Sequence, residues 1–418
     1  MDRRRWLVLA AGIMANLCQG AAYASSVFAV PMLTHLGLSA LGPSGKPEPD
    51  MTKWAAAFAW NLGFLPVGML LSGKLSDKGN PRLAIILGGI FFGLGMFLAG
   101  FAASFGWFVA SFGVMMGIGS GMAYGAVVSV AVKWFPDRRG LASGLAVGAL
   151  GFGSFIIAPV AELLMKHAPV AAGSSVLYAF KVLGIAFTII MAIGSLILSN
   201  PPKDYAPAGY QAQVEGAGNG NDLVWTEMLA RSRFWVLYVL YACGAFTGLM
   251  IISQAKPMVL YAGYSKGFAT GVVSIIGLAN ATGRILWGFI SDKIGRIASL
   301  ALMFLITCAT MLLFTRFIKD QSTLVPAAVL IGVCFGGYLG TFPSLCADSF
   351  GSTNLAVNYA VLFSGFSVAA ISGPYVGGFI KTSTGSYDRA FIIAAAVAGF
   401  GLLVSALARL PRPKSSPS

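Results

Sequence analysis

Residues 73–78 read Gly-Lys-Leu-Ser-Asp77-Lys78, and residues 288–293 read Gly-Phe-Ile-Ser-Asp292-Lys293. Each motif follows an apolar run of helix length, and the interval between the two aspartates is 292 − 77 = 215 residues. The same interval relates the glycines at every fourth position of residues 117–125 to those of residues 332–340. Because two independent patterns share one interval, the sequence predicts two similar halves that follow each other in the same orientation.

The composition is typical of a chain that spends most of its length in lipid. Of the 418 residues, 57% are hydrophobic and 10% are charged, whereas a soluble domain carries about 25% charged residues. Twelve apolar runs are each long enough to cross a hydrocarbon core of about 30 Å. They lie near residues 6–32, 54–73, 82–104, 107–131, 140–165, 176–199, 234–255, 267–290, 297–318, 324–347, 355–380 and 388–410. The predicted fold class is an all-α membrane protein with twelve transmembrane helices in two pseudo-symmetric six-helix bundles.

The basic residues predict how these helices are oriented. Of the 28 Lys and Arg residues, 17 fall in loops on one side, ten fall on the other side and one, Arg284, lies inside a run. Since cytoplasmic loops carry the excess of Lys and Arg, both termini are expected in the cytoplasm, with the bundle in the plasma (inner) membrane. The net charge of +14 is spread over helix ends rather than one face, so no nucleic-acid partner is expected.

The longest polar segment predicts the domain boundaries. Residues 201–232 contain several Pro, Gly and acidic residues, which is typical of a cytoplasmic linker. The linker would join an N-terminal six-helix bundle, residues 1–200, to a C-terminal bundle, residues 233–418. Within it, residues 225–229 are predicted to form a short interfacial helix. The Arg-rich start resembles a signal peptide, but the run of residues 6–32 exceeds the roughly 7–15 apolar residues of such a peptide, which predicts a retained first helix.

Arg284 is the charged residue that this architecture accommodates least easily. It lies in the apolar stretch of residues 269–290, and a charge at mid-bilayer costs roughly 2.5–3.5 kcal/mol on insertion scales. No carboxylate lies at a comparable depth within the twelve runs, so the sequence predicts that an anionic substrate is its partner. Asn280 lies one helical turn earlier on the same face, where it could orient the guanidinium or bind a substrate hydroxyl.

The loop motifs carry a family resemblance. Residues 288–296 fit the pattern G-x-x-x-D-K/R-x-G-K/R, with Gly288, Asp292, Lys293, Gly295 and Arg296, which resembles the loop signature of the major facilitator superfamily. The first copy departs from it, because Asn80 stands where the second glycine is usual. The resemblance implies that helix-end residues hold neighbouring helices in one state of a transport cycle. Those residues are Asp77, Lys78, Arg82, Arg138, Arg139, Asp292, Lys293 and Arg296.

A second motif narrows the resemblance to one branch. Residues 134–146 read Trp-Phe-Pro-Asp-Arg-Arg-Gly-Leu-Ala-Ser-Gly-Leu-Ala, which is similar to the signature entering span five of monocarboxylate transporters and of oxalate–formate antiporters. The span-one pattern from Tyr23 to Pro31 and the span-eight position of Arg284 fit the same branch. The resemblance covers nearly the full chain. It implies a substrate site between the halves near the midplane, and it implies proton coupling as the family expectation.

Three positions depart from that branch. Asn280 stands where many monocarboxylate transporters have Asp, and Phe366 stands where a span-eleven lysine recognises oxalate. Val27 lies near the place of the span-one lysine of lactate carriers. Arg284 is then the one cation left at mid-depth in the predicted spans, and a single cation is matched to the binding of a single carboxylate.

The expected substrate contacts combine one charged end with an apolar wall, which suits a small organic acid. Each aromatic residue taken alone is better explained by helix packing, so the prediction concerns the set. The set is Arg284, Asn280, Tyr124, Tyr338, Phe366, Phe363, Ser367, Leu150, Tyr23 and Phe28.

The sequence therefore predicts a secondary transporter of small monocarboxylates, such as lactate or pyruvate, that works by alternating access with proton symport. Its partners would be the organic anion, protons and the lipid bilayer, and the chain is expected to act as a monomer. Two alternatives stay open: an organic-anion antiporter of the oxalate–formate type, and a non-transporting membrane sensor. No enzyme, cofactor or metal is expected, because no nucleophile elbow, paired carboxylates or Cys and His spacing of a metal site is present.

Overall fold

The computed structural model describes residues 2–41, 47–169, 174–202, 205–207 and 222–408. In these ranges the chain is almost entirely helical. Its helices are α1 (Asp2–Gln19), α2 (Ser26–His35), α3 (Met51–Asp77), α4 (Pro81–Ala99), α5 (Phe105–Phe108), α6 (Met116–Trp134), α7 (Arg139–Lys166), α8 (Ser175–Ile197), α9 (Trp225–Leu229), α10 (Ser232–Tyr261), α11 (Lys266–Ile294), α12 (Arg296–Phe317), α13 (Gln321–Phe350), α14 (Leu355–Thr384) and α15 (Asp388–Leu407). A 3-10 stretch, Gly20–Ser25, joins α1 to α2, and a π-helical stretch, Val109–Met115, joins α5 to α6. A short antiparallel ladder pairs β1 (Ser39–Leu41) with β2 (Pro47–Pro49).

The number of spanning helices confirms the predicted fold class. Within the described ranges, eleven helical spans are long and apolar enough to cross a membrane, and a bent pair can supply a twelfth. That pair is the predicted first span, because residues 3–22 and 27–35 form helices that meet at 48°. The expectation of one continuous helix over residues 6–32 is therefore corrected. Hydropathy alone reports how apolar a run is and not whether it changes direction.

Carboxylate caps begin two of the spanning helices in the same way. Asp50 precedes α3 and accepts hydrogen bonds from the hydroxyl and the backbone N–H of Thr52. Asp320 precedes α13 and accepts the matching pair from Ser322. These hydrogen bonds, led by those from the hydroxyl groups, hold the pKa of both carboxyls below its ordinary value, because they favour the ionised form.

The chain forms two compact units. The first unit comprises Met1–Trp134 and Ala149–Pro201, and the second comprises Phe135–Gly148 and Pro202–Ser418. In the first unit α3 packs on α6 and α4 on α8, while in the second α11 packs on α13 and α12 on α15. The predicted domain boundaries stay a prediction. The early turns of α7, which the sequence analysis assigned to the first half, belong by their contacts to the second unit.

Helix contacts within the two units repeat at the interval seen in the sequence. In the first unit, a Cβ atom on Gly121 would collide with the carbonyl oxygen of Leu65, and in the second unit one on Gly336 would collide with that of Asn280. The partners differ by 336 − 121 = 215 and 280 − 65 = 215 residues. The predicted glycine rows thus let equivalent helices approach closely in both units.

The loop after α3 explains why the first motif departs from the family pattern. In the second copy, Gly295 has φ 90° and separates α11 from α12. In the first copy, Gly79 has φ 100°, so the left-handed turn lies one position earlier in the repeat. Asn80 therefore does not need the positive φ that favours glycine. It caps α4 instead, because its Oδ1 accepts a hydrogen bond from the N–H of Leu83 at 3.3 Å.

The described end of the linker is fixed to the second unit. The N–H of Leu223 donates to the carbonyl of Phe350 at 3.1 Å, and the Asn358 amide donates to the carbonyl of Leu223 at 2.8 Å. The short helix expected at residues 225–229 is present as α9. Its Met228 is fully buried while Trp225 is 42% exposed, which suits a helix that lies in a membrane interface. Residues 208–221 lie outside the described part of the chain.

Candidate functional site

Arg284 lies on α11 with its guanidinium inside the second unit. The residue is 1% exposed, its Nε donates to Asn280 Oδ1 at 3.1 Å, and its Nη1 donates to the carbonyl oxygen of Val147 at 2.8 Å. The i, i+4 spacing places Asn280 directly beside the guanidinium, as the sequence predicted. Both oxygens are neutral hydrogen-bond acceptors, and they orient the guanidinium.

Glycines bring two helices against the backbone of Arg284. On α7, a Cβ atom on Gly144 would lie 2.5 Å from the Arg284 carbonyl oxygen and 3.1 Å from Ile285 Cα. On α13, a Cβ atom on Gly340 would lie 3.0 Å from Arg284 Cα. Larger side chains at these positions would push α7 and α13 away from α11. The close approach brings the Val147 carbonyl within reach of the guanidinium.

Tyr338 lies on a different face of α13 from the one that meets Arg284. Its ring packs 4.9 Å from Phe304, centroid to centroid, and a Cβ atom on Gly244 would lie 2.7 Å from the same ring. Gly336 and Gly340, which contact Asn280 and Arg284, stand two positions to either side. Two residues correspond to about 200° around a helix, so Tyr338 packs toward α10 and α12. Its predicted contact with substrate stays a prediction.

Phe363 and Phe366 belong to a buried aromatic cluster of the second unit. Their ring centroids are 4.8 Å apart, and Phe366 also lies 5.9 Å from Tyr241 and 6.5 Å from Phe335. Ser367 is 8% exposed, and its hydroxyl has no hydrogen-bond partner among the described residues. The aromatic cluster thus combines α10, α13 and α14, and its predicted role as an apolar wall for substrate stays a prediction.

The other predicted contacts lie in the first unit. Tyr124 on α6 and Leu150 on α7 are buried, and Phe28 on α2 packs 4.6 Å from Phe180 between ring centroids. The Phe180 ring in turn meets those of Phe108 and Phe112. Phe28 therefore sits in an aromatic cluster of its own unit. The side chain of Tyr23 lies outside the described residues.

The second loop motif forms a continuous ionic cluster. Asp292 accepts hydrogen bonds from the backbone N–H groups of Gly140 and Leu141, each at 2.9 Å, and pairs with Arg296 at 2.7 Å. Arg296 and Arg139 both bind the carboxylate of Asp348, at 2.9 and 2.7 Å. The cluster ties the first turn of α7 to the ends of α11, α12 and α13. Its hydrogen bonds to ionised groups are individually stronger than neutral ones.

The first loop motif makes a smaller set of contacts. Asp77 pairs with Lys133 at 3.0 Å, and Arg82 Nε donates to the carbonyl of Leu198 at 2.9 Å. Two predicted residues have weaker contacts: Arg138 lies 3.8 Å from Asp137, and Lys293 stacks 4.4 Å from the centroid of the Phe289 ring. Lys78 is exposed at the C-terminal end of α3.

Two groups of contacting residues were not predicted from the sequence. Asp348 completes the ionic cluster. It could have been noticed in the sequence, because it is an acid at a helix end and the positive-inside rule requires only basic residues there. Asn16, Gln19 and Ser120 form a buried hydrogen-bonded chain in the first unit. Polar side chains inside an apolar span were the available signal. That Gln19 and Ser120 meet could not be read from positions 101 residues apart.

Few charged groups are buried in the described part of the chain. Taking backbone and side chain together, Arg284 is the one formally charged residue of that part that is buried, and the side chain of Asp77, which pairs with Lys133, is also only 7% exposed. No group of three or more His, Cys, Asp or Glu is placed to hold a metal in these ranges. The arrangement can bind an anion and exclude water.

Comparison with known proteins gives consistent matches. The family model described as Major Facilitator Superfamily matches residues 11–362. The chain is 29% identical over 415 residues to the oxalate:formate antiporter of Oxalobacter formigenes, which covers 98% of this chain and 93% of that protein. It is 25% identical over 433 residues to monocarboxylate transporter 12-B of Danio rerio, covering 96% of this chain and 85% of that protein. A solved structure of the human organic anion transporter MFSD10 has a TM-score of 0.71 at 14% identity, with 96% of this chain and 99% of that chain covered.

Proposed function

Because the chain belongs to the Major Facilitator Superfamily, we propose that it is a secondary active transporter of small monocarboxylates such as lactate or pyruvate. The members of this family that the chain resembles are integral membrane transporters, and its eleven or twelve apolar helices fit that class. The proposed mechanism is alternating access, with the anion and a proton moving together.

The buried guanidinium of Arg284 is the observation that carries the proposal. An arginine in an apolar helix is costly unless the protein uses its charge, and here two neutral oxygens hold it in place. A carboxylate can accept two parallel N–H hydrogen bonds from a guanidinium, which a neutral ligand cannot match in strength. The group that best exploits this arrangement is a single carboxylate.

The aromatic cluster of the second unit supports a small apolar body for the substrate. Phe363 and Phe366 present buried rings, and the resemblance to oxalate–formate antiporters implies that Phe366 stands where those carriers have a lysine. An aromatic ring at that position offers no second cation to a dicarboxylate. The names of two relatives, which refer to oxalate, formate and monocarboxylates, also favour a carboxylate substrate.

We further propose that the protein lies in the plasma (inner) membrane with both termini in the cytoplasm. The basis is the excess of Lys and Arg on one side of the predicted spans. In this orientation the ionic cluster of Asp292, Arg296 and Asp348 is cytoplasmic. Its role would be to hold α7, α11 and α13 together in one state of the cycle and to release them in another.

Anion exchange is a second candidate, and a specific observation favours it. Proton symport needs a group that gains and loses a proton during the cycle, and the residue beside Arg284 where the family resemblance leads us to expect an acid is an asparagine. Asn280, which replaces the expected Asp, cannot titrate. An exchanger needs no such group, because one anion leaves as another enters.

The test is uptake of labelled lactate into proteoliposomes that contain the purified protein. Wild type should accumulate lactate when the outside is acidic, Arg284→Lys should lose most uptake, and Arg284→Ala should lose all of it. Arg316→Ala is the matched control, since Arg316 is an exposed arginine of the same unit and should leave uptake unchanged. Lactate binding without flux would instead favour a membrane sensor. No binding, with Arg284→Ala indistinguishable from wild type, would refute the proposal.

A further inference from the structure

A groove between α4 and α8 lies on the surface of the first unit and takes no part in the proposed carboxylate contact. Its volume is about 270 Å³. Four aliphatic side chains of its walls are 38–53% exposed, so the groove opens away from the core of the unit. They are Ile90, Leu94, Ile185 and Ile189. A groove of this kind, on a helix pair long and apolar enough to span a membrane, faces lipid.

The groove forms where two glycines meet at the contact of the two helices. A Cβ atom on Gly93 would lie 2.6 Å from the carbonyl oxygen of Gly184, and one on Gly184 would lie 2.6 Å from that of Gly93. Thr188 also lines the groove, but its hydroxyl donates to the Gly184 carbonyl at 2.8 Å. Because that hydroxyl is used within α8, the groove suits an alkyl chain better than a polar ligand.

A cation stands at one end of the groove. Lys181 precedes Gly184 by three residues and Thr188 by seven, so it shares their face of α8. Its stem packs on the end of α4, since a Cβ atom on Gly100 would lie 2.6 Å from Lys181 Cγ. Its Nζ lies 4.1 Å from the centroid of the Phe101 ring, which is exposed. The ring attracts the ammonium but leaves N–H groups able to donate to phosphate oxygens.

The arrangement of groove and cation matches the shape of a phospholipid. α8 begins at Ser175, so Lys181 lies about 9 Å from the start of the helix. A lysine stem of this kind lets the ammonium reach the head-group level while its carbon atoms stay on apolar surface. From there the groove runs along α8 toward the middle of the membrane. A lipid would therefore find a partner for its phosphate and a place for an acyl chain in one line.

The second unit has larger side chains at the equivalent place. Cys308 on α12 and Gly399 on α15 correspond to positions 93 and 184 by the interval of 215 residues. They also meet, because a Cβ atom on Gly399 would lie 3.6 Å from Cys308 Sγ. The counterpart of Ile185 is the larger Phe400. The architecture thus tolerates bulk here, and the glycine pair of the first unit is not required by the fold.

We propose that the groove between α4 and α8 binds one acyl chain of an anionic glycerophospholipid and that Lys181 binds the phosphate of the same molecule. The groove contributes affinity for any phospholipid, and Lys181 adds a preference for a head group with net negative charge. The site belongs to the surface of the first unit alone. Its test is therefore independent of which carboxylate the protein transports.

Native mass spectrometry of the purified full-length protein in detergent measures binding of the first added lipid. The two probes are phosphatidylglycerol, which is anionic, and phosphatidylethanolamine with the same acyl chains, which is zwitterionic. Wild type should bind phosphatidylglycerol about fivefold more tightly, the usual worth of one lysine near an anionic lipid surface. Lys181→Gln should lose that preference. Ile185→Phe should weaken binding of both lipids, and since Ile185 is 51% exposed the variant should fold.

Arg316→Gln is the matched control. Arg316 occupies the position of the second unit that corresponds to Phe101 (316 − 215 = 101), so it is a cation at an equivalent helix end without the glycine pair. Both lipid affinities should be unchanged in this variant. Equal loss of the preference in Lys181→Gln and Arg316→Gln would replace the site by general charge attraction. Unchanged binding in Ile185→Phe would refute the groove, and lipid-free dimers that Ile185→Phe separates would assign it to a second copy of the chain instead.

Discussion

Arg284 is held inside an apolar helix by one polar side chain and one backbone carbonyl. Asn280 accepts from Nε at 3.1 Å and Val147 accepts from Nη1 at 2.8 Å, which fixes the plane of the guanidinium. Replacing Asn280 by Asp would put a carboxylate at the same distance, where it would neutralise the arginine and compete with the substrate. Asn280→Ala would remove the orienting bond but leave the cation available.

The expected order of lactate affinity is therefore wild type, then Asn280→Ala, then Asn280→Asp. We expect Ala to raise the KM for lactate by about three- to tenfold, because it removes an orienting bond and no direct contact with the anion. We expect Asp to raise it by more than tenfold, because the direct hydrogen bonds that it would displace are worth about 1.5–3 kcal/mol. The measurement is the concentration dependence of uptake at equal protein content. Wild-type KM in Asn280→Asp would show that Arg284 does not contact the anion.

Phe366 tests the single-carboxylate argument. Phe366→Lys would introduce a second cation among the rings of Phe363, Tyr241 and Phe335, which are 4.8, 5.9 and 6.5 Å away. Because the residue is 3% exposed, we expect lower thermal stability than in the uncharged control Phe366→Leu. In the protein that folds, oxalate should compete with lactate more strongly than in wild type. If oxalate already competes better than lactate in wild type, the argument is wrong.

The sequence predicts some contacts of single residues and not others. The Arg284–Asn280 pair follows from four-residue spacing on one helix, so it could be predicted. The bond from Arg284 to the Val147 carbonyl could not, because it joins positions 137 apart and depends on glycines that bring α7 close. Tyr338 has the right depth, but depth along a helix does not determine which face a side chain occupies.

Helix packing around α11 depends on small side chains on both neighbouring helices. A Cβ atom on Gly340 would collide with the Arg284 carbonyl oxygen and lie 3.0 Å from its Cα. We therefore expect Gly340→Ala to separate α13 from α11 and to cost about 1–3 kcal/mol, the usual penalty for overpacking. Thermal unfolding of the purified protein measures the loss, and lactate uptake should fall with it.

Gly277→Ala is the control for this substitution. Gly277 lies on α11, and no atom comes within 4 Å of a Cβ atom built there. Alanine is also the better helix former, so stability should be unchanged or slightly higher. Equal losses in both variants would mean that the close approach of α13 to α11 does not matter.

Spanning helices could be predicted because hydropathy reports membrane burial directly. The break after Gln19 could not, since hydropathy does not report a change of direction, and the close approach of Gly20 to Gly153 joins distant positions. The π-helical stretch of Val109–Met115 also has no local sequence signal. Both features arise from packing between distant segments.

The two units use one architecture for different chemistry. Equivalent glycines pack against equivalent backbones in both, yet Arg284 corresponds to Met69 (284 − 215 = 69) and Phe335 corresponds to Ser120. The repeat preserves the close helix contacts, while the buried side chains beside them diverge. We infer that the glycine rows serve the fold and that the divergent positions serve selectivity.

The coupling mechanism belongs to the molecule as a whole. Asn280 beside Arg284 cannot titrate, so we expect a proton that moves with the anion to travel on the substrate carboxyl. Small carboxylic acids titrate near about pH 4, so the protonated fraction falls about tenfold for each pH unit above that value. The initial rate of lactate uptake should therefore decrease steadily from pH 5 to pH 8 without a plateau. Glu162→Gln, which removes an exposed acid of α7, should give the same profile.

A plateau between pH 6 and 7 would reveal a titrating protein group. A rate that is indifferent to pH but accelerated by unlabelled lactate inside the vesicle would replace symport by exchange.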